Sequence, residues 1–150
     1  MNNPTATLNG HHGTLRITIL GFESPDATDA HDEWLVARVE WESRTATVWH
    51  QGAILLSTEL DTLAAALVGT SRPRCRSLRF IEPNFSMTRS ASAEGATHER
   101  VTIAITGEPR DAEQAFEAAT TVCPDEIRAF GRALQRVAAS FRARAWRAAA

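Results

Sequence analysis

The stretch from Glu33 to Trp49, EWLVARVEWESRTATVW, constrains the fold more than any other part of the chain. Leu35, Ala37, Val39 and Trp41 recur at every second position and so share one face of an extended strand, while Val36, Arg38 and Glu40 fall on the other. Thr45, Thr47 and Trp49 continue the alternation beyond the polar turn Glu42-Ser43-Arg44. The pattern predicts a β-hairpin carrying three of the four tryptophans, and with it a sheet on which the rest of the chain can build.

Further strands are expected on the same grounds. Thr14 to Phe22 alternates Leu15, Ile17 and Ile19 against Arg16 and Thr18, and Gly52 permits a turn after which Ala53 to Leu56 can extend the sheet briefly. Ser77 to Ile81 and the stretch from Phe85 read as two strands bent about Glu82-Pro83-Asn84, because proline supplies no ladder donor and Asn favours a turn. Glu99 to Gly107 alternates through Val101, Ile103 and Ile105. Glu113 to Val122 is ambiguous: its alanines favour helix, whereas Phe116, Ala118 and Thr120 alternate, and the strand that precedes it tips the reading to strand. Met1 to Gly13, polar and rich in Asn, Thr, Gly and His, reads as a flexible terminus, and Glu23 to Asp32 as a loop.

Two helices complete the expectation. Leu60, Leu63, Ala64, Leu67 and Val68 follow helical spacing and predict a helix over 59–68, with Thr58 and Asp61 as a weak capping box and Ser57 as an equal N-cap candidate. Pro124 opens the longer one, where Ile127, Phe130, Leu134, Val137 and Phe141 form an apolar stripe and Arg128, Arg132 and Arg136 a basic one. The fold class is therefore α+β: a largely antiparallel twisted sheet or open sandwich of about seven strands, with two packed helices, the longer one C-terminal. With 150 residues the chain is expected to form a single domain, its globular core over 14–144.

Charge is unevenly distributed behind a formal net charge of −2. Between Glu23 and Glu42 seven acids face the single Arg38, whereas six arginines and no acid follow Glu126. The second cluster, with the short loop from Arg72 to Arg79, admits a nucleic-acid-binding or regulatory role. An acidic chain with no recognised nucleic-acid motif makes that the lesser reading, with the arginines solvating the outside of a helix. The longest apolar run, Ala53 to Leu56, is too short to span a bilayer, and the N-terminal residues lack both a basic segment and an apolar core, so a cytoplasmic protein is expected.

No residue pattern announces catalysis. There is no G-x-S-x-G, no glycine-rich phosphate loop and no H-E-x-x-H. Cys75 and Cys123 match no zinc spacing and read as isolated thiols, and His11-His12 has no further ligand at a useful spacing. A site assembled only by tertiary approach would draw on Cys75 or Cys123 with His31, His50 or His98, of which His50, at the end of an apolar strand, is the most constrained, or on Glu82 beside its proline. Glu82 reads more simply as an acceptor of backbone N–H groups that fixes the corner. No catalytic residue, metal site or cofactor is expected.

Taken in order, TLRITILGF, DEWLVARVEW, GAILLSTELDTLAAALVG, RFIEPNFSM and VTIAITG followed by an end helix resemble the WapI-type bacterial immunity proteins and related uncharacterised bacterial domains. The resemblance runs from Leu15 to Phe141 and rests on fold-forming residues, most tellingly Leu56 to Leu67 and Phe80 to Phe85. It implies a non-enzymatic cytoplasmic protein whose partner is a cognate protein toxin that it binds and neutralises. Such a task needs a complementary surface of about 1,600 Å² in total and no chemistry. The acidic loop is the natural place for it: Asp26, Asp29, Asp32 and Glu33 can pair with a basic toxin cleft, and Trp34 stands either at the rim as an aromatic anchor or at the start of a strand as core.

Overall fold

The computed structural model describes residues 2–25, 33–69, 75–93, 97–107 and 115–148, with side chains described up to Phe141 and from Arg76 in the third of these stretches. Eight strands form two four-stranded antiparallel sheets, each a meander followed by a helix. The first sheet comprises β1 (Thr5–Asn9), β2 (Thr14–Phe22), β3 (Trp34–Glu42) and β4 (Thr47–Leu56), and runs directly into α1 (Ser57–Val68). The second comprises β5 (Cys75–Arg79), β6 (Phe85–Ala91), β7 (Glu99–Ile105) and β8 (Phe116–Val122), followed by α2 (Pro124–Ala148). The architecture is α+β, and the same four-strand-plus-helix unit occurs twice.

The predicted hairpin is β3 and β4, paired from Glu42↔Thr47 through Val39↔His50 to Trp34↔Leu56. A bulge beside Leu35 and Val36 inserts one residue and carries Ile54 and Leu55 both into the core. Leu35, Ala37, Val39 and Trp41 are buried as their alternation requires, and they meet Leu15, Ile17 and Ile19 of β2. The ambiguous segment is a strand, β8, whose pairing with β7 supplies what its alanines would otherwise obtain from a helix.

The eighth strand is β1, in the stretch expected to be a flexible terminus. Thr5–Asn9 pairs with β2, and Ala6 and Leu8 are fully buried. Two apolar residues among threonines and asparagines carry little signal alone; partnership with β2 orders them. The β1–β2 connection then presses against β8, with the Gly10 backbone so close to Thr120 that a Cβ would fall 2.2 Å from its Oγ1.

The two helices pack on each other and join the halves. Leu60, Leu63, Ala64 and Leu67 of α1 and Ile127, Phe130, Leu134 and Val137 of α2 belong to the same buried cluster as the inner faces of both sheets. Gly131 permits the close approach, since a Cβ there would lie 2.9 Å from Leu67 Cβ and from Val68 Cγ2. The predicted cap of α1 differs: the N-cap is Leu56, whose backbone N–H donates to Glu59 Oε2 at 2.9 Å, while Glu59 Oε1 accepts from Ile81 N at 2.7 Å. One carboxylate thus closes the helix start and ties it to the β5–β6 corner.

That corner forms as predicted but is held by other groups. Asn84 Nδ2 donates to the carbonyls of Thr106 and Gly107, Thr106 N donates to Asn84 O at 2.9 Å, and Phe80 stacks on Phe85 at 5.6 Å. Inside the second sheet Arg89 makes a bidentate pair with Glu99, at 2.9 and 3.0 Å, and gives a third bond to Ala66 O at 2.9 Å. Both side chains are almost wholly removed from solvent, so the guanidinium has its partners fixed on three sides and ties the sheet to the end of α1.

Candidate functional site

The inner face of the first sheet is core; its outer face is not. Among the described residues whose side chains alternate outward, from Thr5, Thr7 and Asn9 on β1 to Thr47, Trp49, Gln51 and Ala53 on β4, none is buried. This face carries a ladder of charge. Arg16 Nη1 donates to Glu40 Oε1 at 3.1 Å and to Glu42 Oε2 at 2.6 Å, and Arg38 Nη2 donates to Glu40 Oε2 at 2.6 Å. The guanidinium of Arg38 in turn lies over the ring of Trp49, 4.5 Å from its centroid.

The electrostatics follow from these contacts. The Arg38 hydrogen bond, helped by Arg16, holds the Glu40 carboxyl below the usual glutamate range against the opposing effect of burial. Arg16 is raised, chiefly by its bond to Glu42. Trp49, with Arg38 over its ring, still has 54% of its surface exposed. The outer face thus carries an exposed aromatic ring beside arginines already paired with glutamates.

Of the residues expected to bind a partner, Asp26, Asp29 and Asp32 lie outside the described residues. Glu33 is half-buried, its Oε2 accepting from Ser57 Oγ at 2.6 Å and its carbonyl from Ser57 N at 3.0 Å. Trp34 is half-buried, and alternation with the buried Leu35 puts it on the outer face. It thus stands on the face that carries Arg38, four positions along β3, and Trp49, which pairs with Glu40. Trp49 was legible only as part of an alternating strand. Its exposure depends on which side of the sheet the helices cover.

Among the described residues no hydrogen bond, ion pair or ring contact joins His50, Glu82 and Cys123, and His31 lies outside them. A shallow cavity of about 260 Å³ is lined by His12, Arg100, Ala119, Thr120 and Thr121, and contains neither His50, Glu82 nor Cys123. His11 reaches His98, with ring centroids 5.3 Å apart, a proximity that no sequence spacing discloses. Among the described residues no group of three or more His, Cys, Asp or Glu is placed to hold a metal ion. Cys123 carries a free thiol; the side chain of Cys75 and the arginines Arg72 and Arg74 lie outside the described residues. On α2 Ile127, Phe130, Leu134 and Val137 are buried and Phe141 half-buried, Arg132 and Arg136 are exposed, and Arg128 pairs with Asp125. No described helix is long and apolar enough to cross a membrane.

Comparison with protein families decides the kinship. The model of the immunity protein WapI-like family matches residues 7–142. The chain belongs to that family. The match begins within β1 and ends within α2, so it takes in most of both four-strand-plus-helix units. No curated protein matches the sequence. Among solved structures the chain is similar to the plant transcriptional regulator PBF-2, at 10% identity and a TM-score of 0.56, covering 97% of this chain and 84% of that one. The structures of Trypanosoma bruciei MRP1/MRP2 match at 13% identity and a TM-score of 0.44, over 89% of this chain and 81% of that one. The first likeness is one of fold.

Proposed function

We propose that the protein is a non-enzymatic, cytoplasmic immunity protein that binds a cognate protein toxin and neutralises it. Membership of the immunity protein WapI-like family carries this reading. The surface proposed for the toxin begins at the acidic loop, with Asp26, Asp29, Asp32 and Glu33, passes Trp34 and continues over the outer face of the first sheet through Arg38 to Trp49. Loop acids speed encounter with a basic partner, while Trp and Arg held in place supply the buried anchors on which interface affinity concentrates. Inhibition by occlusion requires no catalytic group.

Co-expression with the toxin-like product of an adjacent gene tests the reading. Rescue of growth together with a co-purifying complex supports it, and neither rescue nor complex removes it. Replacing Asp26, Asp29 and Asp32 with Asn is expected to slow association at low salt; an unchanged rate would move the interface away from the loop. The competing reading, a nucleic-acid-binding or regulatory protein acting through Arg72 to Arg79 and the C-terminal helix, finds support in the description of PBF-2 as a transcriptional regulator. At 10% identity that support extends to the fold alone. Binding of DNA or RNA that weakens steeply with salt would establish it.

A further inference from the structure

Each sheet has two edges, and three of the four are protected. β1 has five residues and lies against α2. β5 also has five, with Arg76 and Arg79 exposed on it. β8 is capped by the β1–β2 turn, where His11 N donates to Thr121 O at 3.1 Å and His12 N to Thr120 Oγ1 at 3.0 Å. Short length, charge and a covering loop are the devices by which sheets blunt their edges.

β4 has none of them over Thr47–Gly52. It is the longest strand, ten residues, and contains no Asp, Glu, Lys, Arg or Pro. Its one bulge lies at the far end, beyond Gly52. Thr47, Trp49 and Gln51 are exposed, Val48, His50 and Gly52 half-buried, and no described backbone group bonds to its outer edge. An edge strand turns half its N–H and C=O groups outward, ready to accept another strand.

We propose that β4 pairs antiparallel with β4 of a second copy of this chain, about a two-fold axis at Trp49, joining two four-stranded sheets into one of eight strands. This goes beyond toxin binding and does not depend on it. Around such an axis each residue meets itself or a near neighbour: Trp49 faces Trp49, Thr47 faces Gln51, and Val48 faces His50. A charge at position 49 would oppose its own copy, and the stretch contains no Asp, Glu, Lys or Arg. The charges one strand inward, Arg38 and Glu40, are already paired and leave nothing to repel a second molecule. The most exposed tryptophan of the sheet gains an aromatic partner. The pairing also closes on itself, because it consumes both β4 edges while β1, the opposite edge, is short and backed by a helix. A dimer results in place of an open filament.

Sedimentation equilibrium of the full chain without any toxin, over a wide concentration range, tests this. The expected result is a monomer–dimer equilibrium, reduced to monomer in the double variant T47K/Q51K, where the two-fold sets lysine opposite lysine. Both positions are exposed, so an unchanged melting temperature is expected at concentrations where each protein is monomeric. Hydrogen exchange on the unaltered protein supplies a second reading that needs no variant: amides of Thr47–Gly52 should gain protection as concentration rises. A wild-type chain that stays monomeric up to its solubility limit, a dimer that survives T47K/Q51K, or β4 amides indifferent to concentration would each overturn the proposal.

Discussion

The two sheets use the same chemistry, arginine against glutamate, to opposite ends. In the second sheet Arg89 and Glu99 are locked inside, bidentate, with a third bond to the α1 carbonyl of Ala66. In the first, Arg16, Arg38, Glu40 and Glu42 form a ladder on an open face, where Arg16 and Arg38 retain 39% of their side-chain exposure. Burial decides what such a pair contributes. Taking charges out of water costs several kcal/mol, so an interior pair holds together elements that would otherwise leave a charge stranded. A surface pair in water contributes about 0–1 kcal/mol and serves mainly to orient its members. The buried pair is therefore structural, and the exposed ladder is a pre-arranged surface on which Trp49 is displayed.

The largest expected effect comes from breaking the interior pair. Glu99→Ala should lower the unfolding free energy by about 3–5 kcal/mol, read from urea denaturation, because Arg89 would remain buried without its carboxylate. Replacing both members with leucine should restore most of that loss, since the desolvation cost disappears with the charges. Near-native stability of the single variant would show that Arg89 reaches solvent, and the contrast between the sheets would collapse.

A smaller effect is expected at the joint between the two units. Gly131→Val sets a branched side chain against Leu67 and Val68, where a Cβ alone would already lie 2.9 Å from both side chains. A loss of about 1–3 kcal/mol is expected, measured by thermal or urea unfolding. Gly131→Ala should cost less, because the better helix propensity of alanine offsets part of the crowding. Equal stability of the valine variant and the native protein would mean that the helices do not approach each other there.

The smallest effect belongs to the exposed ladder, and its sign is set by pH. The folded protein lowers the pKa of Glu40, so between that value and the ordinary glutamate range the unfolded chain binds more protons. The contribution is complete above the unfolded pKa and disappears as pH falls through the folded one. Glu40→Gln should accordingly cost about 0–1 kcal/mol at neutral pH and nothing below the lowered pKa, seen by comparing unfolding curves of the two proteins across the acid range. A penalty that stayed constant with pH would assign the effect to packing and not to charge.

Much of the fold could be read from periodicity. The hairpin from Glu33 to Trp49, the corner at Pro83-Asn84 and both helical stripes appear where alternation and 3.6-residue spacing place them, because those signals arise from single elements burying one face. β1 was hidden, since two apolar residues in TATLN become a strand only when β2 is there to pair with. Glu59 was likewise unreadable as a link between α1 and the β5–β6 corner, because one of its two partners is 22 residues away in the chain.

For the proposed binding surface the division is sharper. Sequence by itself determined the α+β class, the kinship with the WapI-like family and the position of the acidic loop beside Trp34, all of which depend on the order and local patterning of residues. Tertiary structure alone decided that Trp41 is core while Trp49, eight residues later, lies open under Arg38, and that among the described residues no strand pairs with the outer edge of β4. Alternation tells which residues share a face; which face the helices cover, and which edge stays unpaired, depend on contacts between distant parts of the chain.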